Sequence, residues 1–170
     1  LGCLNRCVYC YVPKVTKTTT FRLPKKRPVE LVKAQLERMP ERPRNVFLSF
    51  LTDPFLPQCI AATKELACFL IEEGIGVATL SKLDTLEWFS IHGMTIVSLD
   101  EEHHRQFEPN TLPPEDRLGC LSEQKRSDEK TFVSMEPYPP SAVYKQDIEK
   151  LLEELAWAGV DLIIFGKLNY

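Results

Sequence analysis

Three closely spaced cysteines near the start of the chain are the residues best suited to chemistry. Cys3, Cys7 and Cys10 form a C-x3-C-x2-C pattern. Three sulfurs this close in sequence can converge only if the backbone curls into a tight loop, and a soft thiolate-binding metal, either zinc or clustered iron, would stabilise that loop. Disulfide pairing would leave one of the three thiols over. The pattern therefore indicates a metal site.

The spacing alone leaves the metal open. Structural zinc takes four protein ligands, so three thiolates need a fourth donor such as a histidine or a remote cysteine, and the chain's three histidines, His92, His103 and His104, are remote in sequence. An iron-sulfur cube held by three cysteines instead leaves one iron open to an exogenous ligand, and an open iron is a reaction site. A zinc-binding module, an electron-transfer module and an enzyme are all compatible with the pattern.

With its aromatic residue, Tyr9, before the third cysteine, the motif resembles that of the radical S-adenosylmethionine (SAM) superfamily. The resemblance implies a 4Fe-4S cluster on Cys3, Cys7 and Cys10, with SAM chelating the unique iron. It implies reductive cleavage of SAM to methionine and a 5'-deoxyadenosyl radical that abstracts hydrogen from a substrate. It also implies an external one-electron reductant of the flavodoxin or ferredoxin type.

Further segments resemble the spore photoproduct lyase-related branch of that superfamily. The matching segments are Gly2-Cys3, Cys10-Tyr11, 49–55, Ser81-Lys82 and 108–118. By position, the resemblance implies SAM contacts from Tyr11, Thr52, Lys82 and Ser98. The Lys82 ammonium suits the SAM carboxylate, and the hydroxyls of Thr52 and Ser98 suit ribose or carboxylate oxygens.

One departure from that branch concerns the hydrogen donor. Authentic spore photoproduct lyase has a hydrogen-donating cysteine in the segment that matches 46–53, and the corresponding position here is Phe50. We therefore do not expect thymine-dimer repair by that route. The substrate, the catalytic residue and the reaction type, a lyase or a related one, are left open.

Alternating apolar runs and helical patterns must position these residues. The predicted strands are 46–51, 76–80, 95–99, 131–135 and 161–165, and the predicted helices are 29–39, 57–73, 83–90, 115–126 and 142–158. This alternation predicts an α/β fold, either a doubly wound sheet or a barrel. The resemblance implies a single radical SAM core domain over 1–170, a partial (β/α)6 TIM-like barrel lacking part of its first strand and its C-terminal elements.

Polar residues follow each predicted strand, at the edge where such folds bind ligands. Asp53 and Glu136 are candidates to bind substrate or to cap the next helix. Glu108 and Arg117 are expected to form an ion pair that fastens a loop. The scattered Cys59, Cys68 and Cys120 are expected to be buried as small hydrophobes, and the adjacent pair His103-His104 to lie on the surface.

A basic loop is predicted over 11–28. It holds six cations and no acidic residue: Lys14, Lys17, Arg22, Lys25, Lys26 and Arg27. Such a run is either a solvated loop or a contact for phosphate, as in a nucleic acid or nucleotide substrate. The formal net charge of -3 over the whole chain argues against broad polyanion binding.

The composition excludes two broad classes. With 170 residues, 44% hydrophobic and 26% charged, the chain can bury a core and is not of the disordered class. No stretch approaches the roughly 20 apolar residues of a membrane span. We expect a monomeric cytoplasmic protein with no membrane association.

Overall fold

A computed structural model describes residues 2–48, 51–84 and 91–167 as five parallel strands with helices between them. The strands are β1 (Asn45–Leu48), β2 (Gly76–Ser81), β3 (Ile91–Thr95), β4 (Lys130–Tyr138) and β5 (Leu162–Lys167). The helices are α1 (Val12–Thr16), α2 (Pro28–Leu36), α3 (Ile60–Glu72), α4 (Glu101–Phe107), α5 (Pro114–Arg126) and α6 (Ile148–Trp157).

The sheet follows chain order, β1-β2-β3-β4-β5, and each neighbouring pair is parallel. Parallel pairing in chain order requires a crossover after each strand, and it brings all carboxyl ends to one edge. This is the α/β architecture expected from the sequence. The register is continuous from β1 to β4, and it shifts between Met135 and Tyr138, where β4 pairs with β5.

Two apolar clusters hold the helices against the sheet. One packs α2 and α3 on β1 and β2 and centres on Leu70, which is fully buried. The other packs α5 and α6 on β3 and β4 around Leu121, Val133 and Leu155. Since burying one such side chain contributes about 1.5–3 kcal/mol, these clusters dominate the stability of the fold.

Helix boundaries follow capping chemistry. The Asp147 carboxylate accepts from Lys150 N at 3.1 Å at the start of α6, and the Asp100 carboxylate accepts from His103 N at 3.0 Å at the start of α4. Prolines open α2 and α5, where a missing N–H costs nothing. Beyond α3, Gly74 adopts a positive φ of 75°.

The predicted strands match the structure with one displacement. Residues 46–48 of the predicted strand 46–51 lie in β1, residue 51 is not in a strand, and residues 49 and 50, with the position predicted for Phe50, lie outside the described residues. Residues 76–80, 131–135 and 161–165 lie within or overlap β2, β4 and β5, whereas 95–99 shares only Thr95 with β3. The sequence of β3 includes His92 and Gly93, which break the apolar pattern. Both are accommodated: His92 is fully buried beside Glu129, and the Phe132 ring occupies the space that a side chain at Gly93 would need.

The helix predictions differ from the structure in four places. Helix α6 begins at Ile148 rather than at 142, because the carboxylate of Asp147 caps its N-terminus. The segment predicted as a basic loop contains α1. Helix α4 was not predicted, although Asp100 followed by two glutamates is an N-terminal signal. Residues 83 and 84 are not helical, and the rest of the predicted helix 83–90 lies outside the described residues.

None of the described helices combines the length and apolarity that crossing a membrane demands.

Candidate functional site: a cavity at the carboxyl edge of the sheet

A cavity of about 850 Å³ opens at the carboxyl edge of the sheet, beneath the segment that carries the three cysteines. Its upper wall includes Cys3, Cys7, Cys10, Tyr11, Thr52 and Lys82. Its floor includes the apolar Phe47, Leu80, Phe132 and Ile164 together with the polar Thr95 and Ser134. The cavity therefore presents thiols, a cation and a hydroxyl on one side and a largely apolar surface on the other.

The cysteine loop, residues 3–10, is tied to the segment after α4. Val8 N donates to Phe107 O at 2.9 Å, and the Tyr9 hydroxyl donates to the Glu108 carboxylate. Asn110 Nδ2 donates to Asn5 O at 3.4 Å. The loop is thus held by groups that lie about a hundred residues further along the chain.

Glu108 in turn is held by a buried ion pair. Arg117 is fully buried; its Nη2 lies 2.6 Å from the Glu108 carboxylate, and its Nη1 donates to Thr95 O at 2.7 Å. Burial raises the pKa of Glu108, and the Arg117 guanidinium opposes that shift. The predicted ion pair is confirmed. Because Glu108 also accepts from Tyr9, the pair fixes the cysteine loop as well as its own loop.

The Asp53 carboxylate fixes the opposite side of the loop. It is buried and accepts four hydrogen bonds, from Asn5 Nδ2 at 2.9 Å, Lys82 N at 2.9 Å, Ser81 Oγ at 2.7 Å and Phe55 N at 3.0 Å. All of its acceptor sites are therefore engaged within the protein. This places Asp53 in a structural role that joins the cysteine loop to the end of β2.

The thiols lie in an environment that disfavours their charged forms. Burial raises the pKa of Cys3, and burial raises the pKa of Cys7 to about 12. Charge on Cys10 adds to both shifts, so the three sulfurs are close enough to affect one another. Three thiolates can share this site only if positive charge accompanies them, and a metal centre supplies that charge.

Lys82 supplies positive charge from the protein. Its ammonium opposes the burial that raises the pKa of Cys7, and it lies 5.5 Å from the centroid of the Tyr9 ring. The Lys82 backbone is held from both sides, because its N–H donates to Asp53 and its carbonyl accepts from Leu112 N at 2.9 Å. The cation predicted from the sequence therefore points toward the cysteine loop.

Three of the four residues predicted to contact SAM lie on the cavity wall. Tyr11 caps α1, and its carbonyl accepts from Lys14 N at 2.9 Å. Thr52 lines the cavity, and its hydroxyl bonds the buried Cys59 thiol and opposes the burial that raises the pKa of that thiol. Ser98 is not on this wall: it is buried, and its Oγ accepts from Asp100 N at 3.2 Å. The structure thus brings Tyr11, Thr52 and Lys82 together and leaves Ser98 apart.

The donor set is compatible with a cluster and with a single ion. Among the described residues, no group of three or more His, Cys, Asp or Glu could hold a metal ion as placed. The three histidines are not on the cavity wall, so a fourth zinc ligand would have to be another residue, and charge on Cys3 raises the pKa of the buried Cys59 thiol. A cube that gives each cysteine its own iron would need only the three thiols of the loop.

The expectations for the other cysteines and for the histidine pair are only partly met. Cys59 is buried, Cys68 is exposed and Cys120 is half-buried. The prediction that all three are buried is therefore wrong for Cys68. His103 is buried, so its surface placement is also wrong. Its ring stacks on Phe107 and meets the edge of Tyr144, because α4 packs this face inward.

Sequence reasoning missed Asn5 as a residue of this site. It lines the cavity and bonds Asp53, but it sits between the cysteines at a position for which the motif has no preference. Glu136, the other strand-end carboxylate, also lines the cavity and lies over Gly166, where a Cβ would collide with it. Glu136 remains a candidate to meet substrate, whereas Asp53 does not.

Solved structures decide the fold. SuiB of Streptococcus suis bound to the precursor peptide SuiA superposes with a TM-score of 0.72 at 10% identity, over 99% of this chain and 37% of SuiB. A spore photoproduct lyase mutant with bound AdoMet and dinucleoside spore photoproduct gives 0.74 at 15% identity, over 98% and 54%. The chain has the fold of the radical SAM enzymes.

A third solved enzyme shares this fold, and a viral protein is similar to the chain in sequence. TYW1 with a lysine-pyruvate adduct gives a TM-score of 0.64 at 17% identity, over 99% of this chain and 62% of TYW1. An uncharacterised protein of the Acidianus two-tailed virus is 28% identical over 199 residues, covering 99% of this chain and 64% of that protein. No family model matches the chain. The chain spans less than two thirds of the length of each of these proteins.

Proposed function

We propose that the protein is a radical SAM enzyme that holds a 4Fe-4S cluster through Cys3, Cys7 and Cys10 and binds SAM beside it. The observation that carries the proposal is the position of the three thiols on the wall of one cavity, at the carboxyl edge of a radical SAM fold. When bound, the cluster and SAM would supply reductive cleavage of SAM and hydrogen abstraction from a substrate, with electrons from a flavodoxin- or ferredoxin-type reductant.

The protein's own residues orient the reactants and exclude water. The Tyr9–Glu108 and Asn5–Asp53 bonds fix both sides of the cysteine loop. Lys82 is placed to meet the SAM carboxylate, and Thr52 offers a hydroxyl on the same wall. The apolar floor formed by Phe47 and Phe132 keeps water from the base of the cavity. Tyr11 and Ser98 remain proposed SAM contacts on the strength of the sequence resemblance.

For the substrate, we propose a phosphate-bearing molecule such as a nucleotide or nucleic acid. The basic segment, residues 11–28, borders the cavity, since Val12, Pro13, Thr18 and Thr19 line it. Its Lys17, Lys25 and Lys26 are exposed. The spore photoproduct lyase that shares this fold was solved with a dinucleoside photoproduct, which supports the nucleoside part of this proposal and not the phosphate. Counterion release favours such a cluster of cations on a polyanion.

Anaerobic purification and a SAM cleavage assay test the function. We expect a brown protein with four irons per chain, which under a strong reductant converts SAM to 5'-deoxyadenosine. Cys7→Ala should abolish both the full iron content and the cleavage. Cys68→Ala is the matched control, because Cys68 is exposed and lies off the cavity wall, and it should retain both. A colourless protein with stoichiometric zinc, or a brown one that never consumes SAM, would contradict the proposal.

A further inference from the structure

Glu136 places a carboxylate on the cavity wall that the described part of the protein does not bind. The residue is exposed and lines the cavity, and among the groups that the structure describes none donates a hydrogen bond to its carboxylate or forms an ion pair with it. The other carboxylate of the described wall, Asp53, is buried and accepts its hydrogen bonds from the protein. Glu136 is therefore the acid that a ligand in the cavity can reach.

The pleat of β4 directs the Glu136 side chain into the cavity. Successive side chains of a strand point to opposite faces. Phe132 and Ser134 line the cavity. Val133 and Met135 belong to the apolar cluster that packs α5 and α6 on the other face of the sheet. Glu136 continues the series that faces the cavity.

Gly166 on the neighbouring strand β5 leaves room for this side chain. A Cβ at position 166 would overlap Oε1, Cδ and Cγ of Glu136. Gly166 does not have the positive φ that commonly requires glycine. The close approach of Glu136 is therefore the constraint that the structure shows at this position, and it holds the carboxylate over the β5 backbone.

Glu136 lies across the cavity from the groups proposed to meet SAM. Lys82 directly follows β2, whereas Glu136 is on β4, two strands further in the sheet order. Two strand spacings amount to about 10 Å along the sheet. The volume of about 850 Å³ is near the upper end of ordinary ligand cavities, about 300–1,000 Å³. With SAM at the cysteine loop, the group that meets Glu136 belongs to the substrate.

The chemistry of a carboxylate restricts what that group can be. An ionised carboxylate only accepts hydrogen bonds, so it attracts N–H groups and repels phosphate. In a nucleotide, the phosphate is thus left to the basic segment, residues 11–28, and the base is left to Glu136. Acidic side chains bind bases through exocyclic amino groups, as at N4 of cytosine. A carbonyl in place of the amino group would set acceptor against acceptor.

We propose that Glu136 accepts a hydrogen bond from an exocyclic amino group of the substrate's base. The enzyme then selects a nucleotide or nucleic acid with an amino-bearing base over one in which that amino group is missing or replaced by a carbonyl. This inference rests on the proposed function for the class of substrate, and it adds the part of the substrate that is recognised and the residue that recognises it.

The test measures nucleotide binding by the cluster-loaded protein with SAM present and no reductant. Equilibrium dialysis compares cytidine with uridine monophosphate, and adenosine and guanosine monophosphates with inosine monophosphate, which lacks both purine amino groups. Glu136→Gln removes the charge and supplies an NH2 group that can donate to a carbonyl. Glu153→Gln is the matched control, because Glu153 is exposed on α6 and is not on the cavity wall.

We expect wild-type protein to bind at least one amino-bearing nucleotide about tenfold more tightly than its counterpart, as one hydrogen bond to a charged group predicts. Glu136→Gln should lose this preference, and Glu153→Gln should keep it. Gly166→Ala should also reduce the preference, because the added methyl group displaces the carboxylate without changing the charge.

Four results would overturn the inference: no preference within any pair in wild-type protein, a preference that survives in Glu136→Gln, an equal loss of preference in Glu153→Gln, or a loss of SAM affinity in Glu136→Gln that matches its loss of nucleotide affinity. The last result would assign the carboxylate to SAM. Binding of a lysine amide that depends on Glu136, with no such dependence for any nucleotide, would assign it to a substrate ammonium instead.

The proposed function fails in a different way. Protein that shows the preference dependent on Glu136 but never consumes SAM under a strong reductant would keep this inference and contradict the proposed enzyme. Protein that cleaves SAM but shows no such preference would do the reverse. The dialysis and the cleavage assay therefore separate the two failures.

Discussion

At the scale of single residues, the carboxylate of Asp53 organises more of the site than any cysteine does. Four donors from the cysteine loop, the end of β2 and the segment before α3 converge on it. Each of these donors is directed at this buried acceptor and is held by the protein, so it cannot reorient toward another acceptor as a water molecule would. The sequence indicates an acid at a strand end that is available to bind substrate or to cap a helix. In the structure, all of the hydrogen bonds that Asp53 accepts come from the protein.

Replacing this carboxylate with its amide should be costly. Asp53→Asn keeps the shape but turns one oxygen into an NH2 group, which faces two donors. Leaving two buried donors without acceptors should lower the free energy of unfolding by about 2 to 4 kcal/mol. Urea titration measures this change. Asp147→Asn is the matched control, since asparagine caps α6 as well as aspartate does, and it should change the value by less than about 0.5 kcal/mol. Equal effects in the two variants would contradict the role given to Asp53.

The residues of the site divide into those that the sequence reveals and those that it does not. The cysteines and Lys82 are visible because their types and positions fit one chemistry. Asn5 and Tyr9 act through partners 48 and 99 residues away, Asp53 and Glu108. Such pairings depend on which strand ends meet, and nothing in the local sequence encodes them. For the same reason the sequence does not reveal that Ser98, within the predicted strand 95–99, is buried away from the cavity wall.

At the scale of elements, the spacing of apolar residues predicts which face of a helix packs on the sheet. Helix α6 has apolar residues on one face and glutamates on the other, and the structure buries Leu151 and Leu155 of the apolar face. The predicted strand 95–99 lies beyond β3, because His92 and Gly93 interrupt the apolar pattern of a buried strand. Their suitability comes from β4 and the turn before it, which provide Phe132 to fill the space over Gly93 and Glu129 to bond His92. Tertiary partners here override local preference.

The basic segment is the element whose role is most open to test. Replacing Lys17, Lys25 and Lys26 with glutamine should weaken binding of a single-stranded oligonucleotide roughly tenfold. It should also reduce the slope of log affinity against log salt concentration by about 2, if all three contact phosphates. Fluorescence anisotropy at several salt concentrations measures both quantities.

The control for that experiment changes three other exposed lysines, Lys130, Lys145 and Lys150, which lie outside the basic segment that borders the cavity. This triple variant has the same net charge as the first. A matching loss of affinity in both would indicate that net charge alone governs binding, and it would remove the argument for a phosphate-bearing substrate.

At the scale of the whole molecule, the sheet has an exposed apolar edge. Strand β5 is last in the sheet order, and Leu162 and Phe165 on it are each 57% exposed. An edge strand with apolar side chains and unpaired backbone groups is a template for association. The expected monomer therefore depends on what covers this edge.

For the 170-residue chain studied alone, we expect association that increases with protein concentration. Leu162→Lys should suppress it, because a charge on an edge strand opposes pairing. Ile71→Lys is the matched control: Ile71 is 46% exposed on α3, away from the edge, and its replacement should leave association unchanged. Sedimentation velocity over a range of concentrations distinguishes the variants. A wild-type chain that stays monomeric throughout would contradict the expectation.

The two-sided attachment of the cysteine loop also governs the order of assembly during synthesis. The thiols are translated before the partners that fix their loop, which are Asp53, Phe107, Glu108 and, through its bond to Glu108, Arg117. Until translation has passed about residue 118, the cysteine loop lacks these partners. Stable docking of the cysteine loop must therefore wait for this later part of the polypeptide.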